Sequence, residues 1–559
     1  MAMFEKKSQR KICLDDTETL TCAIENYQNI QGHTEYVIRV QRGPIPEKSW
    51  HVCRRYSDFV SLHNALQQSG LPLPLPPKKL IGNMDREFVA ERQLGLQSYL
   101  NLILMNPILA SSLPVRKFLD PENYSTSFQE VALQHVSMAL RGEVNYEIMR
   151  PIPEMGWRIR KHYFLVKNHN QPKDEMVLSW VEYGPDKHLD DREMLSACKS
   201  ISSMQHPFIQ KPEFINSNEI GGYVVRALNN AGTLRDLLYC SKPKSTFLRK
   251  YGNPKQRKPL LVEEVSLYGK QILEALSFLN SKGLPYGHLH PGNVIVENGR
   301  IKLIDIENGI LGLPSFYRPY ILHHKKIKTM EAVDVYCFGH VIYEMAFAYP
   351  LYDSVCDILP PHCPPLLRSL LESILSTEAC KDGMPSIPTL LAHPFFNGFT
   401  SNGLSNTSAD EQAYLKFSSH LREALKDARQ KMEERLKEEQ KMVRQQKRLV
   451  KVQELLTTEG DKRNRKQKLK LQEQTAPQQQ LITNGKSPER SESPNSTSTA
   501  TSVGTVTPPS GPFESSHTTS VAMDSSRSAL LGSICNFNKA ALRHIESPEA
   551  SDSVGRVLR

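Results

Sequence analysis

The chain has no C-x-x-C pair among its ten cysteines, only three tryptophans, and no uninterrupted apolar run of membrane length in 559 residues. The scattered cysteines exclude a zinc ribbon and a regular disulfide framework, and read as the reduced thiols of a cytosolic protein. The opening MAMFEKKSQRK carries charge with no apolar stretch behind it, so no secretory signal is expected. The most apolar run, residues 94–113, is broken by Gln97, Asn101, Asn106 and Pro107. It reads as a buried helix, and any membrane contact is expected to be peripheral. Hydrophobic residues make up 39%, which is low for a wholly folded chain, so part of the chain is expected to be disordered.

What is present suggests two to four domains of a multidomain α+β class. The net charge of +10 and pI near 8.9 suit an acidic membrane surface as well as nucleic acid. In a first module, residues 14–122, the alternation of apolar and polar residues predicts strands at 20–27, 35–41 and 49–55. Tyr36, Ile38 and Val40 share one face, and Gly43-Pro44 and Pro46 close the second hairpin. Ser57 is then expected to cap a helix whose Phe59, Leu62 and Leu66 fall at helical spacing.

At the strand-to-helix junction stands Arg54-Arg55-Tyr56-Ser57-Asp58-Phe59, followed by a proline-rich stretch, Leu71 to Lys79, and by Glu91-Arg92 with Leu96 and Leu100. These features, in this order, resemble phox-homology (PX) domains. The resemblance implies phosphoinositide binding, most often phosphatidylinositol 3-phosphate. Arg55 would offer a planar fork to a phosphate, Tyr56 a ring face to the inositol, Lys78 a point charge to the 1-phosphate, and Arg92 a second fork to ring hydroxyls. Leu73 and Leu75 would dip into the bilayer. Residues 74–78 also fit a P-x-x-P-x-basic ligand of Src-homology domains, although their position favours lipid contact.

Residues 284–309, LPYGHLHPGNVIVENGRIKLIDIENG, run from a helix end through a loop closing on Pro291-Gly292-Asn293 into two short strands that deliver Asp305. The stretch resembles the catalytic and metal loops of protein kinases. With Asn293 aligned on the metal-binding Asn, His288 stands where a catalytic-base Asp is expected and His290 where the loop Lys is expected. Phosphoryl transfer needs a carboxylate at the substrate hydroxyl, metal ligands and a phosphate-orienting Lys. Of these the loop keeps only Asn293 and Asp305. An imidazole titrates near neutrality, so His288 alone does not exclude chemistry.

The rest of that module, residues 140–400, withholds the remaining parts. Only Gly156 stands where a glycine-rich loop would cover phosphates, and MVLSWVEY at 176–183 puts Trp180 near the position of the Lys. Ala197 falls where a partner Glu is expected, while Asp190, Asp191 and Glu193 read as acids favoured at a helix start. Glu307 replaces the Gly of an Asp-Phe-Gly triplet and adds a like charge beside Asp305. His288 and His290 lack a third ligand, so no metal site is expected. Asp334 to Gly339 and Leu391 to Phe396 nonetheless match core motifs of the kinase lobe, Asp334 anchoring the catalytic-loop backbone. Four losses together argue for a pseudokinase, the alternative being an active serine/threonine kinase with an atypical loop.

Residues 410–476 read as a long, mostly solvated charged helix with a weak coiled-coil pattern, and 478–527 as a disordered Ser/Thr/Pro linker. Within 528–548, Leu530, Leu531 and Ile534 followed by a thin basic run resemble a WASP-homology-2 motif, which implies monomeric actin as a partner; a generic amphipathic tail fits nearly as well. The whole reads as a membrane-recruited adaptor in endosomal trafficking, cytoplasmic and peripheral at endosomal and plasma membranes. Its expected partners are phosphoinositide, a membrane-protein cargo (receptor, channel or pump) and actin, without nucleic acid. No cofactor is expected, weak ATP binding being left open.

Overall fold

The computed structural model describes residues 14–78, 85–397 and 413–474. Three antiparallel strands, β1 (Leu20–Ile30), β2 (His33–Arg42) and β3 (Ser49–Arg55), form the first sheet in sequential order. Ile38 stands opposite both Ile24 and Val52, so the alternation in β2 sends Tyr36, Ile38 and Val40 into the core. Helix α1 (Tyr56–Leu66) follows without a break, with Arg55 rather than Ser57 as its N-cap. The correction has a local cause: the Asp58 carboxylate accepts the Arg55 backbone N–H at 2.9 Å, and Ser57 falls inside the first turn. Helix α2 (Arg86–Met105) lies along β1, and the short helices α3 (Pro107–Ala110), α4 (Leu113–Leu119) and α5 (Pro121–Tyr124) close the module. Phe59 holds the centre, edge-on to Tyr36 at 6.2 Å and to Phe118 at 4.9 Å.

Helix α6 (Phe128–Ala139) leads into a five-stranded sheet made of β4 (Tyr146–Pro151), β5 (Lys161–Asn168), β6 (Gln171–Glu182), β7 (Phe214–Ser217) and β8 (Gly221–Ala227), in the order β4-β5-β6-β8-β7. Between β6 and β7 runs α7 (Asp191–Ser202), opened by a reciprocal cap in which Asp190 and Glu193 each accept the other's backbone N–H. A larger, mostly helical lobe follows: α8 (Leu234–Leu238), α9 (Phe247–Tyr251), α10 (Val262–Ser281), the hairpin β9 (Val294–Glu297) and β10 (Arg300–Leu303), α11 (Arg318–Ile321), α12 (Met330–Phe347), α13 (Pro365–Leu375), α14 (Thr377–Asp382), α15 (Ile387–Leu391) and α16 (Pro394–Asn397). Helix α12 is apolar almost all round and runs through the core of this lobe, as such a pattern requires.

The final helix, α17 (Ser419–Gln474), differs from expectation in its first half. Leu421, Leu425, Ala428 and Leu436 recur at helical spacing and are buried in the core of the large lobe, and Val443 is buried beyond them, so this half is docked rather than solvated. The two folded modules are also fused. Tyr239, Leu248 and Tyr251 of the large lobe belong to the core of the first module, Asn253 donates to the Gly70 carbonyl at 2.9 Å, and Arg160 pairs with Asp16 at 3.1 Å. The chain up to Lys447 packs as one unit and the remainder falls in a second. Leu530, Leu531 and Ile534 lie outside the described residues.

Candidate functional site

In the first module, the end of β3 separates two arginines by the two-residue period of a strand. Arg54 turns to the protein, donating to the Phe118 carbonyl at 2.9 Å. Arg55 turns to solvent, its side chain 58% exposed and 3.7 Å from Asp58. Arg92, buried on α2, lies flat between two rings, 4.4 Å from the Tyr56 centroid and 4.2 Å from that of Phe88. It donates to the Pro77 carbonyl at 3.3 Å, and the Tyr56 hydroxyl donates to that of Pro76 at 2.5 Å. Tyr56, Arg92 and the proline stretch are thereby held together, with Lys78 exposed at the end of that stretch. The stretch itself corrects one expectation. Leu71, Leu73 and Leu75 pack against the module core while Pro72 and Pro74 face outward, because an extended segment alternates its side chains.

In the second module a cleft of about 360 Å³ lies between the five-stranded sheet and the helical lobe, lined by Val177, Ser179, Arg226, Ala227, Ile295 and Asp305 among others. Asp305 enters it from the end of β10 with φ +61°, a left-handed conformation. Its carboxylate is 2.7 Å from Lys161 Nζ of β5 and 3.7 Å from Arg226 of β8. Glu307 is wholly buried and pairs with Arg226, with Lys161 at 3.8 Å, and Asn308 accepts a further bond from Lys161 at 3.1 Å. Burial alone raises the Asp305 carboxyl, but Lys161 and Arg226 outweigh it and hold the group at about 2. Two carboxylates and two cations thus close on one another, and Asp305 is satisfied by side chains of two strands.

The other predicted residues are accounted for as follows. Asn293 is buried and donates to the His288 carbonyl at 3.0 Å, bracing the loop from within. His288 lies outside the cleft lining, beside a small cavity of about 30 Å³ against α17. Burial first, then the Arg158 guanidinium 3.4 Å from its Nδ1, depresses it well below the usual histidine range, so it is neutral. His290 does line the cleft, its Nδ1 accepting the Gly292 N–H at 3.1 Å and its ring packed on Phe316 at 4.9 Å. Among the described residues no three His, Cys, Asp or Glu gather as a metal would need. Asp334 receives the backbone N–H groups of Tyr286 and Gly287 at 3.1 and 2.5 Å, the anchoring role that the kinase resemblance implies.

Trp180 is not at the position the Lys would need. It faces away from the cleft and stacks on His135 at 5.1 Å, while Ser179 takes the cleft side of β6. A one-residue slip along a strand reverses faces, which is the source of the error. Residues that sequence reasoning missed decide the site. Lys161 at the start of β5 and Arg226 in β8 carry no local signature, and become legible only once Asp305 is opposite them. Arg158 and Trp157 tie down the loop after Asp305, through a 2.7 Å bond to the Pro314 carbonyl and an edge contact with Phe316 at 4.9 Å.

A PX module fused to a two-lobed, kinase-like domain defines the class, a PX-containing pseudokinase. The PX domain model matches residues 44–122. Over 453 residues the chain is 49% identical to the PX domain-containing protein kinase-like protein of Rattus norvegicus, covering 81% of this chain and 77% of that one. The chain belongs to that family. It is also 35% identical over 216 residues to Slowpoke-binding protein of Drosophila melanogaster, covering 36% of this chain and 40% of the other. Over 293 residues it is 29% identical to the Dictyostelium discoideum protein named Probable inactive serine/threonine-protein kinase slob1, covering 47% of this chain and 49% of the other.

Proposed function

We propose that the protein is a phosphoinositide-recruited adaptor whose kinase-like domain is a binding platform rather than a phosphotransferase. The observation that carries this reading is the closed cluster of Asp305, Glu307, Lys161 and Arg226, which spends on internal pairing the charges that transfer would spend on metal and phosphate. In the PX module Arg55 grips the headgroup phosphate, phosphatidylinositol 3-phosphate above others, Tyr56 and Arg92 meet the inositol ring, and Lys78 meets the 1-phosphate. The likeness to Slowpoke-binding protein supports a lobe that holds another protein, here a membrane-protein cargo at endosomal or plasma membranes. Two weak contacts on one membrane add avidity. The tail residues Leu530, Leu531 and Ile534 add monomeric actin to the partners, a reading supported by their sequence pattern alone.

Two experiments test this. Flotation of the full chain with vesicles containing phosphatidylinositol 3-phosphate falls at least tenfold in Arg55→Ala; undiminished binding removes the lipid site. Incubation with labelled ATP and magnesium or manganese gives no transfer; transfer that vanishes in Asp305→Ala establishes the alternative, an active kinase with an atypical loop.

A further inference from the structure

We propose that loop 323–328 and the facing turns of α17 form a second membrane contact, which meets the anionic surface of a phospholipid bilayer through Lys325, Lys326, Lys328, Lys441, Arg444 and Lys447. One side chain builds this surface. Gln440 is 1% exposed, and its amide donates to the carbonyls of Ile321, His324 and Ile327 at 3.2, 2.8 and 2.8 Å, fixing the helix against the loop. Lys447 is consequently close enough for its charge to act on the His323 imidazole.

The charge on this surface is predominantly positive, the exposed Glu438 at the start of the same helical row being the exception. Earlier on α17, Lys431, Arg429 and Arg435 are each paired with an acid on the same helix, Asp427, Glu433 and Glu439. Glu439 is taken up by Arg318 and Arg435, and α17 carries no acid between it and Glu454. The loop, HHKKIK, has none at all. All six cations reach solvent, Arg444 being half-buried and the others exposed, and none makes an ion pair among the described residues. Such cations repel one another unless a diffuse negative partner meets them.

The form of the surface selects the partner. Lys441, Arg444 and Lys447 recur every three residues along the helix, while Val443 between them and Gln440 just before them are buried. The face therefore offers spread charge without an apolar slot. Lipid headgroups match that, whereas a peptide needs anchor pockets for affinity. This contact is independent of the PX site: it reads surface charge, not a particular headgroup.

The test is flotation of the full chain with vesicles of phosphatidylcholine carrying 30% phosphatidylserine and no phosphoinositide, over a salt series. Each cation near an anionic leaflet contributes about fivefold in partition. Lys325→Gln, Lys326→Gln and Lys328→Gln together should lower binding about a hundredfold, and Lys441→Gln with Lys447→Gln about twenty-fivefold, with unchanged urea midpoints. Arg55→Ala should leave this binding intact while abolishing the added binding to phosphatidylinositol 3-phosphate. Serine-vesicle binding that either cation variant leaves unchanged would overturn the proposal. Retention on polyglutamate without flotation would overturn it too, and assign the surface to an acidic protein.

Discussion

Removing the Asp305 carboxylate separates the adaptor from the enzyme most sharply. In Asp305→Ala the side chains of Lys161 and Arg226, 1% and 6% exposed, keep their charges with one acid between them. Removing one partner of a buried pair costs about 3–5 kcal/mol, and Glu307, 3.8 Å from Lys161, recovers part of it, which puts the cost near the lower end. With a urea dependence of about 3 kcal/mol per molar, the unfolding midpoint of the full chain falls by about 1 M. Replacing both charges, Asp305→Leu with Lys161→Met, returns stability to within about 1 kcal/mol of the original, because no uncompensated charge remains. The pH dependence has a fixed sign. The carboxyl is held at about 2, below its unfolded value near 3.8, so its contribution is full above that value and is lost as pH falls through about 2. The reasoning is refuted if Asp305→Ala keeps the original midpoint and instead loses a magnesium-dependent thermal upshift, since Asp305 would then serve a metal and not the strands.

Three further outcomes are expected. His340 is 1% exposed, stacked on Tyr317 at 4.4 Å, and burial holds it far down, at about 3. The unfolded chain therefore binds the extra proton below 6.5, and stability drops by about 1.4 kcal/mol per pH unit between 6.5 and 3 on its account. His340→Phe should flatten that slope in urea titrations from pH 7 to 5; an unchanged slope counts against it. Gly312 has φ +75°, and a Cβ there would lie 2.0 Å from the Lys187 nitrogen. Gly312→Ala should cost about 3 kcal/mol or more by denaturation, and a cost under about 1 would show that the contact gives way. Gln440→Leu strips three carbonyls of their donor, a loss of about 1–3 kcal/mol, and should raise hydrogen exchange across residues 419–447 while sparing the PX sheet.

Much of the fold was legible because it rests on local periodicity. The alternation around Tyr36, Ile38 and Val40 fixes the faces of β2, whereas α12 was legible from the kinase-like motif at Asp334 to Gly339. The loop that presents His288, Asn293 and Asp305 was legible for a similar reason, as a hairpin needs its Asn298-Gly299 turn with positive φ at both residues. The docking of α17 was not. Its heptad is broken, and only the complementary surface of the lobe explains why Leu421, Leu425 and Leu436 are apolar. Trp180 was misjudged because strand parity, a matter of one residue, is decided by the neighbouring strands.

The sequence by itself determined that a PX sheet precedes a kinase-like lobe, because the motifs of each are properties of residues near one another in the chain. Only the tertiary structure decided what the remaining acid does. Asp305, Lys161 and Arg226 are far apart in sequence, and an ion pair has no sequence signature until folding sets the 2.7 Å between its members.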